Sequence, residues 1–106
     1  MALLVTNENF DKEVLQSNLP VVIDVFATWC GPCQQMLPIF EELAKELETS
    51  YKLVKLNIEN NRELTIQYNV SSIPTFIFIK NGKLVGKESG SMNKESLKEK
   101  IKLHFK

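Results

Sequence analysis

Six residues, Val21-Val22-Ile23-Asp24-Val25-Phe26, restrict the fold of this chain more than any other segment. All but Asp24 are apolar, and Val21, Val22, Ile23 and Val25 are β-branched. A strand with one wet face alternates apolar and polar residues; a run without alternation reads as a strand buried on both faces. Such a strand needs cover on each side, so the rest of the chain must supply further strands and two layers of helix. Asp24 is the exception within the run. A carboxylate in an apolar strand is costly to ionise, so its pKa is expected to rise.

The remaining segments fit that requirement. Leu3 to Val5 reads as a first short strand. Thr6 or Asn7 caps a helix through about Ser17, with Phe10, Val14 and Leu15 inward. A helix after Pro32 runs to about Glu48 with Met36, Phe40, Leu43 and Leu47 on one stripe, and Pro38 inside it is expected to bend it. Leu53 to Ile58 is a strand and Arg62 to Tyr68 a short helix. Thr75–Lys80 and Lys83–Lys87 flank Asn81-Gly82, a two-residue hairpin signal. Asn93 caps a last helix with Leu97, Ile101 and Phe105 inward, and its lysines 94, 98, 100 and 102 are expected to form a solvated face. The order β-α-β-α-β-α-β-β-α gives parallel strands through the early crossovers and an antiparallel pair at the closing hairpin. At 106 residues the chain is expected to form one domain, residues 1–106.

Only two cysteines are present, three residues apart, where the central strand meets the following helix. A secreted disulfide scaffold of this size carries more cysteines, spread along the chain. A bridge from Cys30 to Cys33 closes so short a loop that it constrains the unfolded chain little, so a reactive role explains the pair better than a structural one. Helix dimensions place Cα atoms three residues apart at about 5 Å, within the ~4.4–6.8 Å that an unstrained disulfide spans. Pro32 suits a first helical turn, where its missing N–H is no loss. Cys30 is expected at the helix N-terminus, where the dipole favours a thiolate and makes it the nucleophile. Cys33 is expected deeper and less exposed, as the resolving thiol. A zinc site needs three or four ligands, and the only histidine, His104, falls on the last helix; no metal site is expected.

Trp29-Cys30-Gly31-Pro32-Cys33 resembles the active site of the thioredoxin family, and the likeness covers essentially the whole chain. Asp24 stands at that family's buried acid, Pro38 at its helix proline, Lys55-Leu56-Asn57 at its third strand and Ile73-Pro74-Thr75 at its cis-proline loop. Asn81-Gly82 and Gly90 match its hairpin and groove glycines. Phe26, Gln34 and Ser89 depart from its commoner tryptophan, lysine and branched apolar residue. The resemblance implies an α/β fold with a mixed five-stranded sheet, order 1-3-2-4-5, flanked by four helices. It implies Cys30, Cys33, Asp24 and Lys55 as catalytic residues and Gly31 and Pro32 as redox-tuning ones. Trp29, Ile73, Pro74 and Gly90 would bind substrate, with a cis bond before Pro74 turning the Ile73 backbone toward an extended peptide. Asp24 has two readings that can hold together: a structural acid paired with Lys55, or a proton acceptor for Cys33.

Thirteen basic residues balance thirteen acidic ones, which removes the electrostatic footprint of a nucleic-acid binder and gives no attraction to a membrane surface. No apolar stretch approaches the ~18–20 residues of a spanning helix, and no signal peptide is visible. A cytoplasmic monomer is expected. The implied function is reduction of disulfides in protein substrates, with recharging by an NADPH-dependent thioredoxin reductase and no cofactor beyond the Cys30–Cys33 dithiol. The competing reading is a thioredoxin-like binding or chaperone subunit that does not require its cysteines.

Overall fold

The computed structural model describes residues 1–106. Val21–Phe26 forms β2, and it lies at the centre of a five-stranded sheet of order β1-β3-β2-β4-β5. The other strands are β1 (Leu3–Val5), β3 (Lys52–Asn57), β4 (Thr75–Lys80) and β5 (Lys83–Ser89). β1 and β2 both run parallel to β3, whereas β4 runs antiparallel to β2 and to β5. This is the mixed sheet that the order of elements implies. The turn between β4 and β5 has positive φ at both Asn81 (53°) and Gly82 (76°), the primed geometry that matches the twist of paired strands.

Helices cover both faces. α1 (Gly31–Glu46) and α3 (Lys94–His104) pack on one, while α2 (Arg62–Gln67) and a short helical turn, Asp11–Leu15, lie on the other. Val22, Phe76 and Phe78 face Met36, Phe40 and Leu43 of α1 and Leu97 and Ile101 of α3. Val21, Ile23 and Val25 face Phe10, Val14 and Leu64. Successive residues of β2 thus feed opposite cores, which is why the strand is apolar without alternation. Phe40 stacks on Phe76 with ring centroids 6.2 Å apart, and full burial of a side chain of this size contributes about 2–3 kcal/mol.

Two local expectations are corrected. The first helix is a π-helical turn, shorter than the span to Ser17. Thr6 and Asn9 cap its approach reciprocally, each side chain accepting the other's N–H. Gln16 then places both its backbone N–H and its side-chain amide on Asp11, five residues back, which widens the turn and ends it. The lysines of α3 are not a uniformly solvated face. Lys94 bridges Glu42 and Glu46 of α1, Lys98 reaches Glu46 at 2.7 Å, and Lys100 approaches Glu88. These pairs tie α3 to α1 and β5, although ion pairs this exposed to solvent add little to stability. α1 continues through Pro38 and ends at Glu46.

Candidate active site

β2 ends at Phe26, and Ala27-Thr28-Trp29 carries the chain across the end of the sheet to α1. Cys30 is the N-cap of α1, with extended backbone (φ −87°, ψ 111°). Its Sγ accepts the Cys33 N–H at 3.2 Å, so the sulfur occupies the place where a serine or aspartate oxygen usually satisfies an orphan amide. Pro32 lies in the first turn and lacks a donor where none is needed. The two Cα atoms are 5.2 Å apart and the sulfurs are joined as a disulfide. Cys30 is buried in this disulfide form. It retains 6% of its surface against 3% for Cys33, so position on the helix distinguishes the two sulfurs more than accessibility does.

The loop before Cys30 is held from two sides. Glu59 Oε1 accepts the Thr28 N–H at 2.8 Å and the Thr28 hydroxyl at 2.7 Å, and the Gln34 side-chain amide donates to the Thr28 carbonyl at 3.1 Å. The Thr28 N–H, then its hydroxyl, hold the Glu59 carboxyl below the usual range. Trp29 projects from this clamped loop and is 71% exposed. Neither Glu59 nor the clamp was legible in the sequence, where Glu59 reads as a loop acid.

Facing the cysteines is the Ile73–Pro74 loop, whose peptide bond is cis. The Ile73 carbonyl oxygen lies 4.0 Å from Cys30 Sγ. The Pro74 carbonyl accepts the Gly90 N–H at 2.9 Å. Gly90 has φ +97°, a backbone conformation that side-chain-bearing residues rarely adopt, and nothing lies within 4 Å of where its Cβ would be. Trp29, Gly31, Pro32 and Gly90 are all exposed, and Ile73 is half-buried. A cavity of about 160 Å³ lies between Trp29 and Ile73, with Ile58, Thr65, Val70 and Ser72 among its other walls. Ile58 and Val70 are far from Trp29 in sequence, and only the fold brings them beside it.

Asp24 is 1% exposed, in the middle of β2. Burial raises its pKa from 3.8 to about 7; the positive charge of Lys55 lowers it and the negative charge of Glu41 adds to the rise. Lys55 stands opposite Asp24 in the register of β2 with β3, yet its ammonium is not bound to that acid. Lys55 Nζ forms an ion pair with Glu41 Oε2 of α1 at 2.8 Å without hydrogen-bond geometry, and Asp24 Oδ1 likewise has no hydrogen-bond partner. The structural pairing of Asp24 with Lys55 is therefore corrected to an ion pair between Lys55 and Glu41. Burial opposes ionisation of Glu41, but the close ammonium of Lys55 and the Ala2 N–H outweigh it and hold the carboxyl below the usual range. His104 is occupied elsewhere: it meets Glu88 Oε2 at 2.8 Å and stacks on Phe78. No group of three or more histidine, cysteine or acidic side chains stands close enough to hold a metal ion.

A thiol pair capping a helix, beside a cis-proline loop on a sheet of this order, can be compared with known proteins. The thioredoxin family model matches residues 1–103. The chain belongs to the thioredoxin family. It is 45% identical to a thioredoxin of Rickettsia bellii over 95% of its own length and 96% of the relative's. It is 37% identical to a thioredoxin of Haemophilus influenzae and 38% identical to thioredoxin 1 of a Nostoc species, each over 95% of this chain and 94% of the relative. The Cys30–Cys33 pair is accordingly a thiol–disulfide oxidoreductase centre, and the protein is a protein-disulfide reductase of this family.

Proposed function

We propose that Cys30 is the attacking thiolate, Cys33 the resolving thiol and Asp24 the group that takes the resolving proton. The observation that carries this assignment is the N-cap position of Cys30, whose sulfur already accepts the Cys33 N–H. In the reduced protein that amide and the helix dipole favour negative charge on Cys30. The thiolate attacks one sulfur of a substrate disulfide; a mixed disulfide forms and the other substrate sulfur leaves as a thiolate that is protonated by water. Cys33 passes its proton to ionised Asp24 and attacks Cys30 Sγ. The mixed disulfide breaks, the second substrate thiolate leaves, and the Cys30–Cys33 disulfide remains. Two electrons pass from the dithiol to the substrate.

The substrate class is disulfides in proteins. The Ile73 carbonyl beside Cys30 Sγ offers backbone pairing to an extended segment, with Trp29 and Gly90 exposed and Pro74 buried behind them. Backbone pairing reads little sequence, which suits many partners. Gly31 and Pro32, between the sulfurs, tune the redox balance, and Lys55 modulates Asp24. The dithiol is recharged by an NADPH-dependent thioredoxin reductase, with no cofactor in this chain beyond the cysteines. The protein acts as a single-domain cytoplasmic monomer, with neither nucleic acid nor membrane as partner; no helix is long and apolar enough to cross a membrane. Insulin reduction with NADPH, with and without a thioredoxin reductase, tests the activity and its electron donor. Cys33→Ser is expected to trap mixed disulfides and Cys30→Ser to trap none; the reverse pattern would overturn the assigned roles.

A further inference from the structure

Three charged side chains meet beneath the cysteines, and their pairing is not the one their register suggests. Asp24 and Lys55 are opposite one another on adjacent parallel strands, which lie about 4.8 Å apart, so the ammonium is within reach of the acid. Lys55 instead extends to Glu41 of α1. Glu41 is itself fixed, because its other oxygen, Oε1, accepts the Ala2 N–H at 2.6 Å. Glu41 also lines a groove of about 570 Å³ with Ala2, Ala44 and Leu53. Exposure falls inward from this groove, from 23% for the Glu41 side chain to 8% for Lys55 and 1% for Asp24.

We infer that Glu41 is a positioning residue: by holding Lys55 in an ion pair, it keeps the ammonium off Asp24 and so sets the basicity of that acid. The surroundings leave few other influences. β4 presents Phe76 opposite Asp24, and its own strand presents Val22 and Phe26 on the same face. The buried stripe of α1 there is Cys33, Met36 and Phe40, and that of α3 is Leu97 and Ile101. Cys33, when reduced, is the remaining titratable group on these buried stripes. Removing the Glu41 charge acts twice in one direction, since it deletes a negative neighbour and frees a positive one for Asp24. Both effects favour the ionised acid. The perturbation of Asp24 fits this balance, with Lys55 lowering the pKa and Glu41 raising it. The consequence for turnover rests on the proposed role of Asp24 as proton acceptor.

The chain has only two aspartates, Asp11 and Asp24. Protein labelled with 13C at the aspartate carboxyls therefore gives two signals, and exposed Asp11 serves as the reference. In the oxidised full chain, Glu41→Gln is expected to move the Asp24 midpoint toward acid by about one pH unit. Glu41→Asp, which keeps the charge and adds a third aspartate signal identified by its absence from the native protein, is expected to restore most of the native value. Lys55→Gln reads the same arrangement from the other partner and is expected to move the midpoint toward alkali. Shifts of opposite sign cannot come from general loosening of the fold. An unmoved Asp24 midpoint in Glu41→Gln, or in Lys55→Gln if the first variant does not fold, would overturn the inference. The pH profile of mixed-disulfide resolution is then measured in the same variants. If the Asp24 signal moves and the rate profile does not, the inference about Glu41 stands and the proton-acceptor role of Asp24 falls.

Discussion

Replacing Asp24 by asparagine is expected to stabilise the protein, by an amount that depends on pH. The side chain is 1% exposed and Oδ1 lacks a partner, so ionising it in the folded state is opposed by burial. The folded pKa is about 7 against an ordinary 3.8. At about 1.4 kcal/mol per pH unit, holding the charged form in the fold costs about 4 kcal/mol. Below pH 3.8 the acid is neutral in both states and costs nothing. Between 3.8 and 7 the unfolded chain has released the proton while the folded one keeps it. Stability therefore falls with rising pH, by about 1.4 kcal/mol per unit at most, and levels off above 7. Asparagine removes this dependence but retains the burial of a polar amide. The expected gain rises from near zero at pH about 4 to about 3–4 kcal/mol above pH 8, or roughly 10–20 °C in Tm for a domain of this size. Urea unfolding of the oxidised chain, followed by far-ultraviolet circular dichroism from pH 4 to 8, measures it. A gain that is flat with pH, or that shrinks as pH rises, would refute the reasoning.

Phe40→Ala removes a fully buried ring that stacks on Phe76 and is expected to cost about 3–5 kcal/mol in urea unfolding. Asn93→Ala deletes the side-chain oxygen that accepts the Ser96 N–H at 2.8 Å and is expected to cost about 1 kcal/mol, with earlier amide exchange in the first turn of α3. Glu59→Ala releases Thr28 from its clamp and is expected to raise KM for insulin while leaving the circular dichroism unchanged; an unaltered KM would show that the Trp29 loop needs no such anchor.

The fold was legible in the sequence because its strongest signals are local. The continuous apolar run of β2, the Asn81-Gly82 turn and the Asn93 cap each need only a few neighbouring residues to be read, and each stands where it was expected. Boundaries slipped where a side chain decided them, as Gln16 does by returning to Asp11. Cys30 and Trp29 both stand beside Ile73, and Gly90 is bonded to the neighbouring Pro74. Glu41 and Glu59 were missed for one reason: an acid beside an apolar stripe, or in a loop, looks in sequence like any solvated charge. Only the tertiary arrangement shows that one holds Lys55 and the other holds the loop carrying Trp29.

The way Lys55 is shared also explains why a costly acid can persist in β2. A direct ion pair with Lys55 would lower the cost of ionising Asp24, but it would also make the carboxylate a weaker base. Left without a partner, Asp24 stays protonated through mildly acidic pH and ionises near neutrality, the range in which the proposed transfer from a thiol has the smallest mismatch. The ammonium nevertheless remains close enough to limit the rise. A wholly apolar setting would push the acid higher still, and at neutral pH it would then be protonated and unable to accept. Glu41 places Lys55 between these two extremes. If Asp24 takes the resolving proton as proposed, the arrangement serves the cysteines at the expense of the strand, between apolar cores on both faces of the sheet.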